Sequence, residues 1–438
     1  MSAAPTADDA PRDPRFDGVE AAMRGWIERG FLPGASWAIL SGRELVDLRC
    51  IGLADREAGT PLRRDHLFRA FSSTKLATSV AVLQLVEDGR VSLDAPVSTW
   101  IPQLAEPRVL RPGATSLDDT EPARRPITVR HLLSHSSGLS YGLLDPGSLM
   151  YRAYTERKVI GDGRTLSQLV DTLAALPLAY HPGESWEYSI ATDVLGHLVE
   201  TVTGARLGDA FRTRILDPLG LRDTGFVIPE GERGRLAALY VGDPTDPTKP
   251  GLRRLDDTPY PGAYTKPMPR QSGGGGLVSA LDDQVALLRA LIPGGPTLLR
   301  PDTLRAMHEN QLADGVWLRF PATGVARGKG HGLAGAVTVE AGPLDPPGSE
   351  GALQWGGMAA THWWLSPRQG LAAVLMTQRY MGFWNPFWWG FQKGVAQAGR
   401  VREDGPPPPG LIRPSRTPPR RPARAPASAA APRTRRPA

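Results

Sequence analysis

The sequence predicts an α+β protein: an antiparallel sheet flanked by helices, built from both ends of the chain, with a mainly helical region inserted between. Three observations carry that expectation. Strand-like segments stand early, in "ASWAILSGRELVDLRCIGLAD", and late, in "HGLAGAVTVE", "THWWLSP" and "GLAAVLMTQ". The stretch between them has helical spacing broken by Pro, Gly and Asp loops. The 438 residues are 41% hydrophobic and 22% charged, the balance of a globular protein with a sizeable core.

Taken in order, residues 1–14 are polar and Pro-rich and are expected to be disordered. "FDGVEAAMRGWIERG" has helical spacing and stops at Gly30. The alternating run from Ala35 reads as a hairpin turning at Ser41-Gly42. A helix over 72–88, apolar over much of its surface and closed by Gly89, is expected to be buried. The sheet domain should therefore comprise 15–89 and 275–400, and the inserted helical domain 90–274. Beyond it, residues 401–438 hold eleven prolines, nine Arg and two acids. This composition predicts a disordered tail with a net charge of +7.

Charge and composition also exclude functions. The isoelectric point near 9.6 suggests a nucleic-acid binder. However, the whole chain carries +6 and the tail alone +7, so residues 1–400 carry about −1. The basic excess therefore lies in the tail, and no nucleic-acid partner is expected. No apolar run reaches the roughly 18 residues of a membrane span, and the N-terminus has no signal-like apolar segment. Cys50 is the only cysteine, which excludes an internal disulfide and fits a reducing compartment. These features predict a cytoplasmic protein. The eight histidines show no zinc-ligand spacing and no phosphate-binding Gly-Lys-Ser loop appears, so no metal or other cofactor is expected.

The chemistry begins with a choice of residue. Only six of the 51 basic residues are Lys. Arg serves for plain positive charge but cannot lose its proton, whereas Lys can. Lys75 lies three residues after Ser72, so the two share one helical face. If Ser72 opens the helix, its hydroxyl lies at the positive end of the dipole. "HPGESWEYSIATDVLGHLVETVTG" places Tyr188 after a Pro-Gly turn, directly before a second helix that Ser189 caps and Gly204 ends. "LQWGGMAATHWWLSP" places Gly356 and Gly357 on a strand, where a bare backbone N–H can approach a carbonyl. "HLLSHSSGLSYG" and "QSGGGGLVSALDD" are expected to line the same cleft.

Ser72-Ser-Thr-Lys75, Tyr188-Ser and Trp355-Gly-Gly follow the order of the motifs of serine β-lactamases and penicillin-binding proteins. "LLSHSSGL", "WEYSIATDVLGHLVE" and "QWGGMAATHWWLSP" most resemble the family VIII carboxylesterases, which share the class C β-lactamase fold. The resemblance covers roughly residues 15–395. It implies a serine hydrolase with Ser72 as nucleophile and Lys75 and Tyr188 sharing its proton. It also implies an oxyanion hole from the N–H groups of Ser72 and Met358. Trp355, Gly356, Gly357, Ile190 and His362 would face the substrate. Two departures bear on specificity. Ile190 stands where β-lactamases carry Asn, and Trp355 stands where they carry a carboxylate-binding Lys. Both favour a neutral small-molecule ester over a β-lactam. A β-lactamase or D-Ala-D-Ala peptidase, an acyltransferase, and a non-catalytic binder using the same cleft stand as the alternatives. The oligomeric state is not legible.

Three features compete for the same roles. Gly138-Leu-Ser140-Tyr-Gly142 matches the lipase Gly-x-Ser-x-Gly elbow, but lacks the preceding strand and following helix. His135 is expected to be a loop hydrogen-bonder. The aromatic run 379–394 is expected to form a terminal helix packed on the sheet.

Overall fold

The computed structural model describes residues 10–399, apart from 162, 244, 245, 247, 256, 257, 260, 261 and 383–385. The 401–438 tail lies outside the described residues. The chain opens with helix α1 (Asp17–Glu28), strands β1 (Gly34–Ser41), β2 (Glu44–Asp55) and β3 (Thr60–Pro61), and the short strand β4 (Leu67–Arg69). Helix α2 (Thr74–Glu87) follows. Helices α3 (Val129–Leu133), α4 (Leu166–Ala174) and α5 (Ala191–Thr203) lie in the middle. The chain then returns through β5 (Val278–Ala280) into helix α6 (Leu281–Arg289). Strands β6 (Lys329–His331), β7 (Ala336–Thr338), β8 (Leu353–Gly356), β9 (His362–Ser366) and β10 (Leu371–Met376) lead to helix α7 (Phe387–Gly399).

Eight strands form one sheet in the order β6-β7-β8-β9-β10-β1-β2-β3, with antiparallel neighbours throughout. The early and late segments meet at β1–β10, in register from Ser36–Met376 to Ser41–Leu371. This is the α+β plan expected from the sequence. Both strands at the join are apolar on both faces because helices cover each side. Side chains alternate across a strand. Ala38, Leu40, Ala372 and Val374 therefore face the main core with α2 and α5. Trp37, Ile39, Ala373 and Leu375 face the outer layer with Met23 of α1 and Phe387 and Phe391 of α7. Helix α2 is buried around almost its whole circumference. Full burial of each Leu or Val contributes roughly 1.5–3 kcal/mol, so this helix fixes the floor on which the site is built. No helix among the described residues is long and apolar enough to cross a membrane.

One expectation needs correction. Residues 10–14 are ordered rather than disordered. Leu48 N–H donates to the Pro11 carbonyl at 2.9 Å, and Asp13 N–H donates to Asp47 Oδ1 at 3.1 Å. Arg49, buried in β2, donates to the Asp13 carbonyl at 3.0 Å. The strap is held by polar groups of β2, which hydropathy of the strap itself does not reveal.

Candidate active site

Ser72 lies in a 3-10 turn, Phe71–Ser73, between β4 and α2. Phe71 has φ +43°. That left-handed conformation is costly for an aromatic residue and turns the chain sharply just before Ser72. Ser72 thus precedes the α-helix rather than opening it. Lys75 follows one turn later and is only 4% exposed. Its Nζ donates to Ser72 Oγ at 3.3 Å and to the Gly274 carbonyl at 2.7 Å. Thr78, one turn further along α2, donates to the Gly273 carbonyl at 2.7 Å. The glycine run is needed at Gly274. A Cβ there would lie 2.5 Å from Asp193 Oδ2 and 3.4 Å from Lys75 Nζ.

Tyr188 arrives from the far side, just before α5. Its hydroxyl is 2.6 Å from Ser72 Oγ, and its ring lies 4.8 Å from Lys75 Nζ. The structure thus brings Ser72, Lys75 and Tyr188 around one oxygen. The helix cap differs from expectation. The N-cap is Ile190. Ser189 Oγ lies 2.9 Å from His135 Nδ1 and 3.4 Å from the Ala191 N–H. Ile190 is 2% exposed and packs in the main core. It therefore does not line the cleft as expected, because its side chain points inward beneath the helix start.

The third motif is placed by close backbone contact. A Cβ on Gly357 would lie 2.1 Å from the Ala70 carbonyl oxygen, so only glycine lets this strand end reach the Phe71–Ser73 turn. Thr361 donates to that same carbonyl at 3.0 Å, and its hydroxyl lies 3.0 Å from Ser73 Oγ. Met358, the next residue, packs beside Phe71 and Ala359. The Trp355 ring stands 5.3 Å from that of Tyr188. His362 also departs from expectation. It pairs with Gly356 across β8 and β9, and its ring stacks on Trp388 of α7 at 3.8 Å. Its neighbour Trp363 faces the main core, so strand alternation sends His362 into the outer layer, away from Ser72. Gly356 has the same explanation. Its missing Cβ makes room for the His362 ring, at 2.3 Å, and not for a substrate.

Further residues surround these groups. Tyr141 stands 5.4 Å from Tyr188 and 5.9 Å from Lys75 Nζ, and burial raises its phenol well above the usual value. Phe320 and Trp186 extend the wall behind Tyr188. Phe71, Met358 and Tyr380 gather on the other side. His331, 5.5 Å from Trp355, is pushed down to about 4 by burial. His135 is also held well below the ordinary imidazole value, first by burial and then by His331 and Lys75. Tyr141 and His135 lie in the quoted "HLLSHSSGLSYG", but nothing in the local pattern shows which of its polar groups turns toward the cleft. Ser140 of that segment is buried and donates to the Glu187 carboxyl, whose pKa burial raises.

A serine hydroxyl, a buried lysine and a phenol meeting at one oxygen, on this sheet-and-helix frame, fit a serine hydrolase. A family model described as Beta-lactamase matches residues 19–383, and the chain belongs to that family. Among its relatives, the chain is 37% identical to esterase EstB of Burkholderia gladioli over 373 residues, 81% of this chain and 88% of that protein. It is 34% identical to a lovastatin esterase of Penicillium rubens over 338 residues, 72% and 80% of the two chains. In structure it resembles EstCE1, described as a hydrolase with promiscuous acyltransferase activity. The TM-score there is 0.74 at 28% identity, covering 87% of this chain and 98% of that one. It also resembles the simvastatin synthase LovD of Aspergillus terreus, with a TM-score of 0.73 at 26% identity, covering 90% and 100%.

Proposed function

We propose that this enzyme is a carboxylesterase working through an acyl-enzyme on Ser72, with a neutral small-molecule ester as substrate. The observation that carries the reading is the 2.6 Å contact of Tyr188 OH with Ser72 Oγ, with Lys75 Nζ donating to the same oxygen. Ser72 Oγ attacks the ester carbonyl, and its proton passes to the Tyr188–Lys75 pair. The carbonyl π electrons move onto oxygen, where the N–H groups of Ser72 and Met358 receive the charge. When the tetrahedral adduct collapses, the C–O bond to the alcohol breaks and the alcohol oxygen takes the proton back. Water then repeats the sequence and frees the acid. Trp355 supports a neutral substrate, because it offers an apolar face where a lysine would offer charge. Residues 15–89 and 275–400 serve as the scaffold, and 90–274 bring Tyr188 to it. We place the protein in the cytoplasm, on its single cysteine.

Mass spectrometry of the intact protein mixed with a nitrophenyl ester tests the reading. The expected adduct has the mass of the acyl group and maps to Ser72. Turnover of nitrocefin with no ester turnover would overturn the esterase assignment. EstCE1 supports a second outcome for the same intermediate, capture by an added alcohol in competition with water. It would show as a transferred ester in the product mixture.

A further inference from the structure

A phenol 2.6 Å from the nucleophile is useful only if the chain holds it there. Tyr188 precedes α5, so the helix ladder does not fix it. Ser140 holds the segment through its carbonyl, which accepts from the Ile190 N–H at 3.1 Å, and His135 grips both neighbours of Tyr188 in the chain. The Glu187 N–H donates to the His135 carbonyl at 3.2 Å. The Ser189 N–H donates to His135 Nδ1 at 3.2 Å, and Ser189 Oγ lies 2.9 Å from the same nitrogen. The His135 ring also lies 5.1 Å from the Tyr188 ring, at 60° to it.

We propose that His135 is a positioning residue that aims the Tyr188 hydroxyl at Ser72. The proposal rests on the role given to Tyr188 above. A backbone N–H can only donate, so Nδ1 must be unprotonated and the ring proton must sit on Nε2. Burial enforces the neutral ring. Since Nδ1 is occupied by Ser189, His135 does not act as a base toward Ser72. The residue is itself fixed. Its φ is +55°, Tyr180 OH donates to its carbonyl at 3.1 Å, and His331 packs edge-on at 5.2 Å. His331 Nδ1 in turn lies 2.8 Å from the Gly332 carbonyl. The end of β6 thus sets His135, and His135 sets Tyr188.

The test uses turnover of a nitrophenyl ester by the full chain in two backgrounds. A misplacement of about 1 Å costs on the order of 10²-fold. His135→Leu should therefore lower kcat by roughly that factor, with KM within about threefold. His135→Asn should recover most of the loss, because its Oδ1 takes the place of Nδ1 and Asn tolerates positive φ. In Tyr188→Phe, where no hydroxyl remains to aim, His135→Leu should cost less than about threefold more. A general packing role predicts equal losses in both backgrounds, and that result overturns the proposal. So does a His135→Leu enzyme close to wild type, or a His135→Asn enzyme no better than His135→Leu. Should His135→Leu show no melting transition, His135→Gln replaces it. Its acceptor lies at the Nε2 end of the site, so it should lose the same factor. A Tyr188→Phe enzyme with normal turnover overturns the base assignment, and the aiming role with it. Loss with Tyr188→Phe but none with His135→Leu overturns only the aiming role.

Discussion

At the residue scale, Lys75 separates two meanings of positive charge. If it carries a proton, Lys75→Arg should be nearly as damaging as Lys75→Ala, since Arg keeps the charge but accepts no proton. Near-normal turnover by Lys75→Arg would show that only potential is needed. Reversible binding of a boronic acid by the variant checks that the larger guanidinium still fits. Beside it, Ser72→Ala should lower ester turnover by roughly 10⁴-fold or more, and Ser140→Ala should stay within a few-fold. Loss of activity in Ser140→Ala would move the nucleophile to the other serine. The meeting of Ser72, Lys75 and Tyr188 was legible because each stands in a local pattern: a three-residue helical spacing, or a turn before a helix. Ile190 and His362 were misread because burial decides them. Ile190 sits beneath a helix start, and His362 alternates out of the cleft on its strand. Nothing adjacent in sequence tells which face of a strand will meet Trp388. His135 was legible only as a hydrogen-bonder, since its partners Glu187 and Ser189 lie about fifty residues away.

At the element scale, the glycine loop and the strand ends act as spacers, and each can be tested by adding one methyl group. Gly357→Ala should abolish turnover, because its Cβ would press on the Ala70 carbonyl behind Ser72. A variant retaining more than about a tenth of wild-type kcat would show that the strand end can shift without cost. The start of α6 supplies a pH-dependent element. Asp283 accepts from Asp223 N–H at 2.9 Å and from Thr224 Oγ1 at 2.8 Å, and burial pushes it up to about 6. Its ordinary value is about 3.9. Between these values the folded state binds more protons than the unfolded state. This group's contribution is therefore fully present at low pH and is lost as pH rises toward 6. Asp283→Asn removes the penalty of the buried charge while keeping an acceptor. The Tm of the variant relative to wild type should rise by several degrees from pH 4.5 to pH 8. A difference independent of pH would place Asp283's titration outside this range. The existence of these elements was legible in the apolar runs. Their contacts were not, because a four-glycine run announces close approach without naming what approaches.

At the scale of the whole molecule, the sheet joins both ends of the chain, and its order follows from two-faced apolar strands at the centre. The joining of early and late strands in one sheet was legible in the alternation and the apolar runs, but the strand order was not. The outer layer depends on a charged device they did not predict. Asp47 is fully buried, accepts from the Trp37 indole at 3.1 Å and from the Asp13 N–H, and pairs with Arg49 at 2.9 Å. Arg49, 3% exposed, also reaches Asp17 and Glu20 of α1 at 2.8 Å each. One guanidinium thus ties the 10–14 strap and α1 to β2. Removing one partner of a buried pair leaves an uncompensated charge and costs roughly 3–5 kcal/mol. Arg49→Met should therefore lower Tm by several degrees. Replacing the whole pair with apolar groups is far less costly than breaking it. Asp47→Leu combined with Arg49→Met should accordingly recover part of the loss, although the Trp37 indole and the Asp13 N–H lose their acceptor. The device lies in the outer layer, across the sheet from Ser72, so kcat per folded molecule should not change in either variant. Calorimetry together with active-site titration separates the two quantities. A double variant less stable than Arg49→Met alone would mean that Asp47 holds the strap through Trp37 and Asp13, and that the ion pair is secondary.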